Sequence, residues 1–341
     1  MFDPLADSRW RELLARHPQA SVFHAPEWLA ALKRTYSYAP VAFTTSRPGE
    51  SLRNALVLCA VRSWITGRRL VSLPFSDHCD ALVDDPGDLG ALAAAAEQYR
   101  AEQRWRYVEL RPIRADTAPG PSFRQAEAYW LHRLDLRPSA DALWRGLHRD
   151  SIQRRIQKAE RVKVQYEEGR SATLVGQLYR LLELTRRRHS VPPQPRAWLD
   201  NLVSLFGEAV SIRVASFEGR PVAAILTLSR GNTVVYKYGG SDARHHSLGA
   251  TPMLFWKMIE DAKRRGAERL DLGRTDRDNQ GLTVFKERWG AQRTALTYWR
   301  SPAPAGLRAD SRSLRVARRL YDALPMALRR ATANRLYRHL G

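Results

Sequence analysis

The side chains able to do chemistry gather at a few points of this 341-residue chain, each beside a glycine or a predicted helix start. Lys286 stands in Phe285-Lys286-Glu287-Arg288-Trp289-Gly290, on a short helix over about 280–289. The stripe Leu282, Phe285 and Trp289 predicts an inward face, which sets the lysine at a cleft rim, where it can stabilise an anion or serve as an ordinary surface cation. Lysine is scarce in this chain beside arginine, so its use here points to a specific need. Asp271 and Arg274 bracket the end of a predicted strand, where α/β folds collect site residues. Asp271 either orients Arg274 or Lys286 or forms a structural ion pair. Asp77, His78 and Asp80 crowd a predicted loop, Phe75-Ser-Asp-His-Cys-Asp80, that is a general base or acceptor pocket or else a polar turn capping a sheet. Tyr238 precedes Gly239-Gly240, a step that either breaks a strand and frees a backbone N–H or simply ends it.

The elements that must position these groups follow from periodicity. An apolar run at Thr233–Tyr238 leads through a basic loop into an amphipathic helix over 251–265, with Thr251 as N-cap, Pro252 at the first helical position and Gly266 as stop. A strand at 269–272 follows. Strand, loop, helix and strand in this order place an anion on the free N–H groups of the helix start. Upstream, the spacing predicts helices over 140–147, 151–161, 172–188 and 196–206, with hairpin strands at 210–217 and 221–228. The first half reads as two short helices, strands at 40–44, 55–62, 69–73 and 81–83, a helix over 89–103, and strands at 107–111 and 129–136. Strands, helix, strand, strand thus occurs twice, which predicts two copies of one mixed α/β unit, with the cleft between them as the default site.

Two motifs carry a resemblance. Arg244-His-His-Ser247-Leu-Gly249-Ala250 resembles the pyrophosphate loop of GNAT acyltransferases, with Ser247 where glycine is usual. Asp271-Leu-Gly273-Arg274 followed by Phe285-Lys286-x-Arg288-Trp289-Gly290 is similar to the closing signature of the FemAB-like (BioF2-like) acyltransferases, built of two GNAT-like units. The resemblance spans most of the chain and is weakest in its first half. It implies an acyl donor held by Arg244, Ser247, Gly249, Ala250 and Thr251, oxyanion N–H groups near Tyr238 and Gly239, and a charge-stabilising role for Lys286. Such transfer must also deprotonate the attacking amine. Acyl-CoA is the favoured donor, because no long helical hairpin interrupts the second unit; aminoacyl-tRNA is the alternative.

Composition bounds the rest. A formal net charge of +21, carried mostly by arginine, implies an anionic partner or reflects codon bias. The basic helix with Arg154, Arg155, Lys158 and Arg161 falls between the two units, where the resemblance implies that a phosphate-bearing acceptor or acidic donor passes; it is otherwise a solvated face, and Arg154, Arg155 and Lys158, with Asp77, Asp80 and Arg274, are the expected acceptor-binding residues. No apolar run of about 18 residues exists. The first residues lack a signal pattern, and Cys59 and Cys79 form no zinc spacing, so a cytoplasmic protein without metal or tightly bound cofactor is expected. Residues 305–341 hold nine Arg against two Asp and two amphipathic stripes, which either lie on anionic lipid or pack on the body.

The expected organisation is an α/β chain of two tandem GNAT-like mixed-sheet units with helices on both faces, at 1–138 and 139–300, and a basic helical tail at 301–341. The expected activity is transfer of an acyl group to an amine of an anionic cell-envelope or polysaccharide precursor. A GNAT-fold nucleic-acid- or membrane-binding protein that has lost catalysis is the rival.

Overall fold

The computed structural model describes residues 1–65, 67–113, 118–189, 191–303 and 337–339. Most of the expected basic tail therefore lies outside the described residues. The chain forms two compact units of mixed α/β structure: Met1–Tyr129 with Ala295–Gly341, and Trp130–Thr294.

In the first unit, α1 (Arg9–Arg16) and α2 (Pro26–Tyr36) precede the antiparallel strands β1 (Ala39–Phe43), β2 (Leu56–Ser63) and β3 (Gly67–Val71). Helix α3 (Pro86–Glu102) crosses over to β4 (Tyr107–Leu110), which lies parallel to β3. Strand β5 (Arg124–Asp135) begins in this unit and ends in the next. The segment predicted as a strand at 81–83 makes only an isolated bridge, Ala55↔Leu82, because Asp84 and Asp85 already turn the chain into α3, with the Asp85 carboxylate capping it.

The second unit continues with α4 (Ala140–Gly146), α5 (Arg154–Arg161), β6 (Gln165–Gly169), α6 (Ala172–Arg188) and α7 (Arg196–Phe206). Helix α5 starts three residues later than its basic run, since a π-turn occupies Arg149–Gln153. Strands β7 (Val210–Phe217), β8 (Arg220–Arg230) and β9 (Thr233–Ser241) form an antiparallel meander. Helix α8 (Ala250–Arg264) then returns the chain to β10 (Arg269–Asp276), parallel to β9, and α9 (Gln280–Glu287) leads to β11 (Gln292–Ser301). Strand β11 pairs with β4 through Trp299↔Leu110 and so closes the first unit from the far end of the chain.

Alternation along β8 assigns its two faces. Ala223 and Ile225 join the core formed with α5 and α8, while their neighbours Ala224 and Leu226 point to the opposite side, where α6 and α7 pack. Gly240, paired with Ala224, lets α6 come close: a Cβ there would meet the backbone of Leu181 and Leu182 at 2.5 Å.

Candidate functional site

Strands β9 and β10 pair only through Thr233–Val235 and Arg269–Asp271, and the recorded ladder ends there. Just beyond it the β8–β9 register shifts: Thr227 faces Tyr236 and Leu226 faces Tyr238, so Lys237 is an extra, bulged residue. The interruption therefore falls at Lys237, and β9 runs on through Gly239 and Gly240 to Ser241, past the break expected there.

The bulge sends two tyrosines to opposite faces. Tyr238, a candidate catalytic residue, is buried on the α7 side, where the Trp198 indole donates to its hydroxyl at 2.7 Å. Tyr236 goes to the α8 side, its ring 4.8 Å from Phe255 and its hydroxyl against Gly239, so close that a Cβ at 239 would collide with it. The Tyr236 hydroxyl makes no hydrogen bond among the described residues, and burial pushes its phenol up to about 12. Alternation from Val234 already puts Tyr236 on this face, and the bulge turns Tyr238 to the other; sequence reading singled out Tyr238 and missed Tyr236.

The loop after β9 is a 3₁₀ turn, Ala243–Leu248, capped by the Asp242 carboxylate. Gly249 ends it at φ +77, and a Cβ there would strike the carbonyl of Arg155, so the position requires glycine on both counts. Helix α8 begins at Ala250 with Gly249 as N-cap, not Thr251 as expected. Ala250 and Thr251 thus hold the first two helical positions, where amides have no intrahelical acceptor; Pro252, in the third, has no N–H. A pocket of about 340 Å³ opens over this helix start, lined among others by Arg155, Ser241, His246, Thr251, Phe285 and Arg288. Burial and the cations Arg188 and Arg155 hold His246 below its usual value.

Arg244 lies elsewhere. It lines a second pocket, of about 450 Å³, with Arg180, Arg220, Leu181, Leu184 and Asp242 on the other side of the loop. Its guanidinium clasps Asp242 at 2.6 Å, and this contact holds the carboxyl down at about 2. Ser247 is exposed and lines neither pocket. Of the predicted acceptor arginines and Lys158, only Arg155 lines a described pocket; Arg154 pairs with Asp150 at 2.9 Å.

Lys286 is turned inward, not to a rim. It is 4% exposed, and its ammonium donates to the carbonyls of Gly273 at 2.9 Å and Arg274 at 3.0 Å. The buried face of α9 is Thr283 and Lys286, while Leu282 stands in solvent and Phe285 lines the pocket. The carbonyls of the bend in β10 drew the lysine in where the apolar stripe alone predicted the reverse. Asp271 builds that bend: it accepts from the Gly273 N–H at 2.7 Å and lies 4.0 Å from Arg133, while Gly273 takes φ +72. Asp271 therefore positions Lys286 through the backbone. His132 lies close by, 3.2 Å from the Thr275 hydroxyl, and burial beside Lys286 and Arg293 holds its ring down at about 4.

Asp77, His78 and Asp80 belong to the first unit. The Tyr298 hydroxyl donates to the Asp77 carbonyl, His78 packs edge-on against Phe23 at 5.3 Å, and the Asp80 carboxylate accepts from the Ile113 N–H. These contacts fasten the loop onto its own unit. Glu109 is buried between Arg111 at 2.7 Å and Arg300 at 2.5 Å.

The family model described as Acetyltransferase (GNAT) domain matches residues 147–287, the stretch that holds the bulge, the parting of β9 and β10 and the glycine-led start of α8. Residues 147–287 are similar to a GNAT acetyltransferase domain. Among solved structures, FemX superposes with a TM-score of 0.68 at 12% identity, covering 85% of this chain and 96% of its own. A domain described as the C-terminal part of a lysylphosphatidylglycerol synthetase from Agrobacterium fabrum gives 0.56 at 14% identity, covering 89% and 92%. A tandem GNAT protein from the clavulanic acid biosynthesis pathway gives 0.55 at 14%, covering 87% and 95%. No curated protein matches the sequence. The fold is that of the FemAB-like tandem GNAT proteins. No helix among the described residues is long and apolar enough to cross a membrane.

Proposed function

We propose that the chain is an N-acyltransferase that moves an acyl group from acyl-CoA to an amine of an anionic cell-envelope or polysaccharide precursor. The observation that carries this reading is the pocket at the start of α8, where Thr251 at the second helical position, Arg155, Arg288 and His246 line one space at the end of β9. Phosphate groups suit such a set, because the helix start and the guanidiniums supply positive charge without desolvating a carboxylate.

The chemistry then runs along β9. The amine nitrogen attacks the thioester carbon, the C–N bond forms and the C–S bond breaks. The ammonium form gives one proton to solvent before attack, the nitrogen of the tetrahedral adduct gives a second to solvent, and the Tyr236 hydroxyl gives its proton to the departing sulfur and regains one from solvent. Backbone N–H groups near the Lys237 bulge face the oxyanion. Lys286, clamped under the β10 bend, adds a fixed positive charge. The second pocket, with Arg180, Arg220 and Arg244 against a single carboxylate, takes the anionic group of the acceptor, over the apolar floor of Leu181 and Leu184.

Aminoacyl-tRNA is the second reading for the donor. It is favoured by the fold likeness to the domain of a lysylphosphatidylglycerol synthetase, whose name joins lysyl to an anionic lipid. The test is calorimetry with acetyl-CoA on wild type, Arg155→Glu and Arg220→Glu. Micromolar binding that Arg155→Glu abolishes and Arg220→Glu leaves intact supports both assignments. Equal loss in the two variants moves the second pocket to the donor. No binding by wild type defeats the acyl-CoA reading, and charged tRNA is then the ligand to assay.

A further inference from the structure

The turn joining β2 to β3 ends in two exposed apolar side chains: Trp64, whose ring edge meets His339 at 5.3 Å, is still 85% exposed, and Ile65 is 47% exposed. Trp10, Trp28, Trp198 and Trp289 are all fully buried. Behind this tip the ladder sets Arg62 directly across from Arg68, both exposed, and neither has an ion-pair partner among the described residues. Like charges directly opposite in a ladder destabilise it unless an anion lies between them. More cations converge from the neighbouring segment. Arg106 donates its backbone N–H to Arg68 and passes its side chain 3.5 Å from where a Cβ of Gly67 would sit, and exposed Arg104 stands two residues earlier. Arg62 leans on the Trp105 ring at 5.9 Å. No Asp or Glu occurs between residues 51 and 76.

We propose that this hairpin tip is a docking surface for an anionic lipid bilayer. Trp64 and Ile65 enter the headgroup layer, and Arg62, Arg68, Arg104 and Arg106 meet lipid phosphates around them. The pairing of residue types decides for lipid over nucleic acid. An unpaired base would stack on the tryptophan face but gains nothing from a branched aliphatic neighbour, whereas both side chains gain from leaving water for the acyl-chain boundary. Each arginine near an anionic surface adds about 1 kcal/mol, so the ring of four supplies the larger share of the attraction. Carboxylates would weaken it, and the hairpin has none. The surface lies in the first unit and is argued independently of the acyl-transfer reading.

The experiment is co-sedimentation of the full chain with vesicles of phosphatidylcholine alone and of phosphatidylcholine mixed with phosphatidylglycerol. Wild type should partition to the anionic vesicles only. Trp64→Ala/Ile65→Ser should bind them about tenfold or more weakly, and Arg62→Glu/Arg68→Glu should not bind at all. Acetyl-CoA calorimetry on the same variants shows that they are folded and tests the donor site separately. The proposal is overturned if the Trp64/Ile65 variant binds vesicles as wild type does. It is equally overturned if a single-stranded RNA oligonucleotide removes the protein from the vesicles and loses affinity on Trp64→Ala.

Discussion

Two side chains of the proposed site make opposite demands. The Tyr236 hydroxyl, raised to about 12 by burial, keeps its proton at every ordinary assay pH and is built to donate it. Tyr236→Phe should lower kcat by about 10²-fold while leaving donor affinity unchanged, and calorimetry beside steady-state rates reads the two apart. Unchanged kcat would remove the tyrosine from the mechanism. Lys286 cannot act by touch alone, because its ammonium also holds two carbonyls of the β10 bend. Lys286→Met should therefore lose both turnover and about 2–4 kcal/mol of stability. Lys286→Arg should recover part of the stability and little of the rate. The lysine stood out in the sequence by its type, but its direction was not legible: an apolar stripe gives the buried face of a helix only when no unsatisfied carbonyls compete for it. Next to Lys286, the His132 ring titrates at about 4 in the folded chain against 6.5 when unfolded. Between these values the unfolded chain binds the extra proton, so stability falls as pH drops from 6.5 toward 4. After allowance for screening, urea melts at the two ends of this window should differ by about 1–2 kcal/mol more in wild type than in His132→Gln.

At the scale of elements, the donor pocket depends on how closely two helices approach β9 and its loop. Gly240 admits α6 and Gly249 admits α5, each at a distance where a methyl group meets backbone. Gly240→Ala should cost about 2–4 kcal/mol by thermal or urea unfolding, and an unchanged midpoint would mean that α6 shifts without penalty. The helices α6 and α7 agree with their periodicity to the residue, and α8 to within one, because long apolar stripes outweigh local ambiguity. The end of β9 was misplaced for a different reason. Gly239-Gly240 looks like a strand terminus when only φ freedom is considered, yet here glycine serves close packing, and the interruption sits at Lys237, whose side chain carries no such signal. A bulge is a property of two strands in register, so one strand read alone does not reveal it. The same bulge separates Tyr236 from Tyr238, which is why the buried partner of Trp198 was the tyrosine singled out from sequence.

At the scale of the whole molecule, chain order and spatial order part company in the first unit. Two α/β units with helices on both faces were legible from the repeated order of elements. That the first unit is completed by residues 295–303 and 337–339 was not, since the partners lie some 190 to 300 positions apart. Glu109 shows the consequence: its partner Arg300 lies 191 positions away, and Arg111 and Arg300 together hold this buried carboxylate below its usual value. The far end contributes more than a strand. The Tyr38 hydroxyl donates to the carbonyl of Tyr337 at 3.2 Å, Arg69 donates to that of His339 at 3.1 Å, and the His339 ring meets the Ser63 hydroxyl at 3.0 Å. Tyr337 also lies 5.9 Å from Phe75. A chain ending at residue 303 would uncover Arg69, Tyr38 and Phe75 together. It would lose one buried aromatic and three polar contacts, about 2–4 kcal/mol in sum. The midpoint of thermal unfolding should then drop by several degrees, most clearly in the phase that reports the first unit. Acetyl-CoA binding at the proposed pocket, lined from α5, α8 and α9, should survive at low temperature. An unshifted midpoint would mean that 337–339 lie on the first unit without stabilising it.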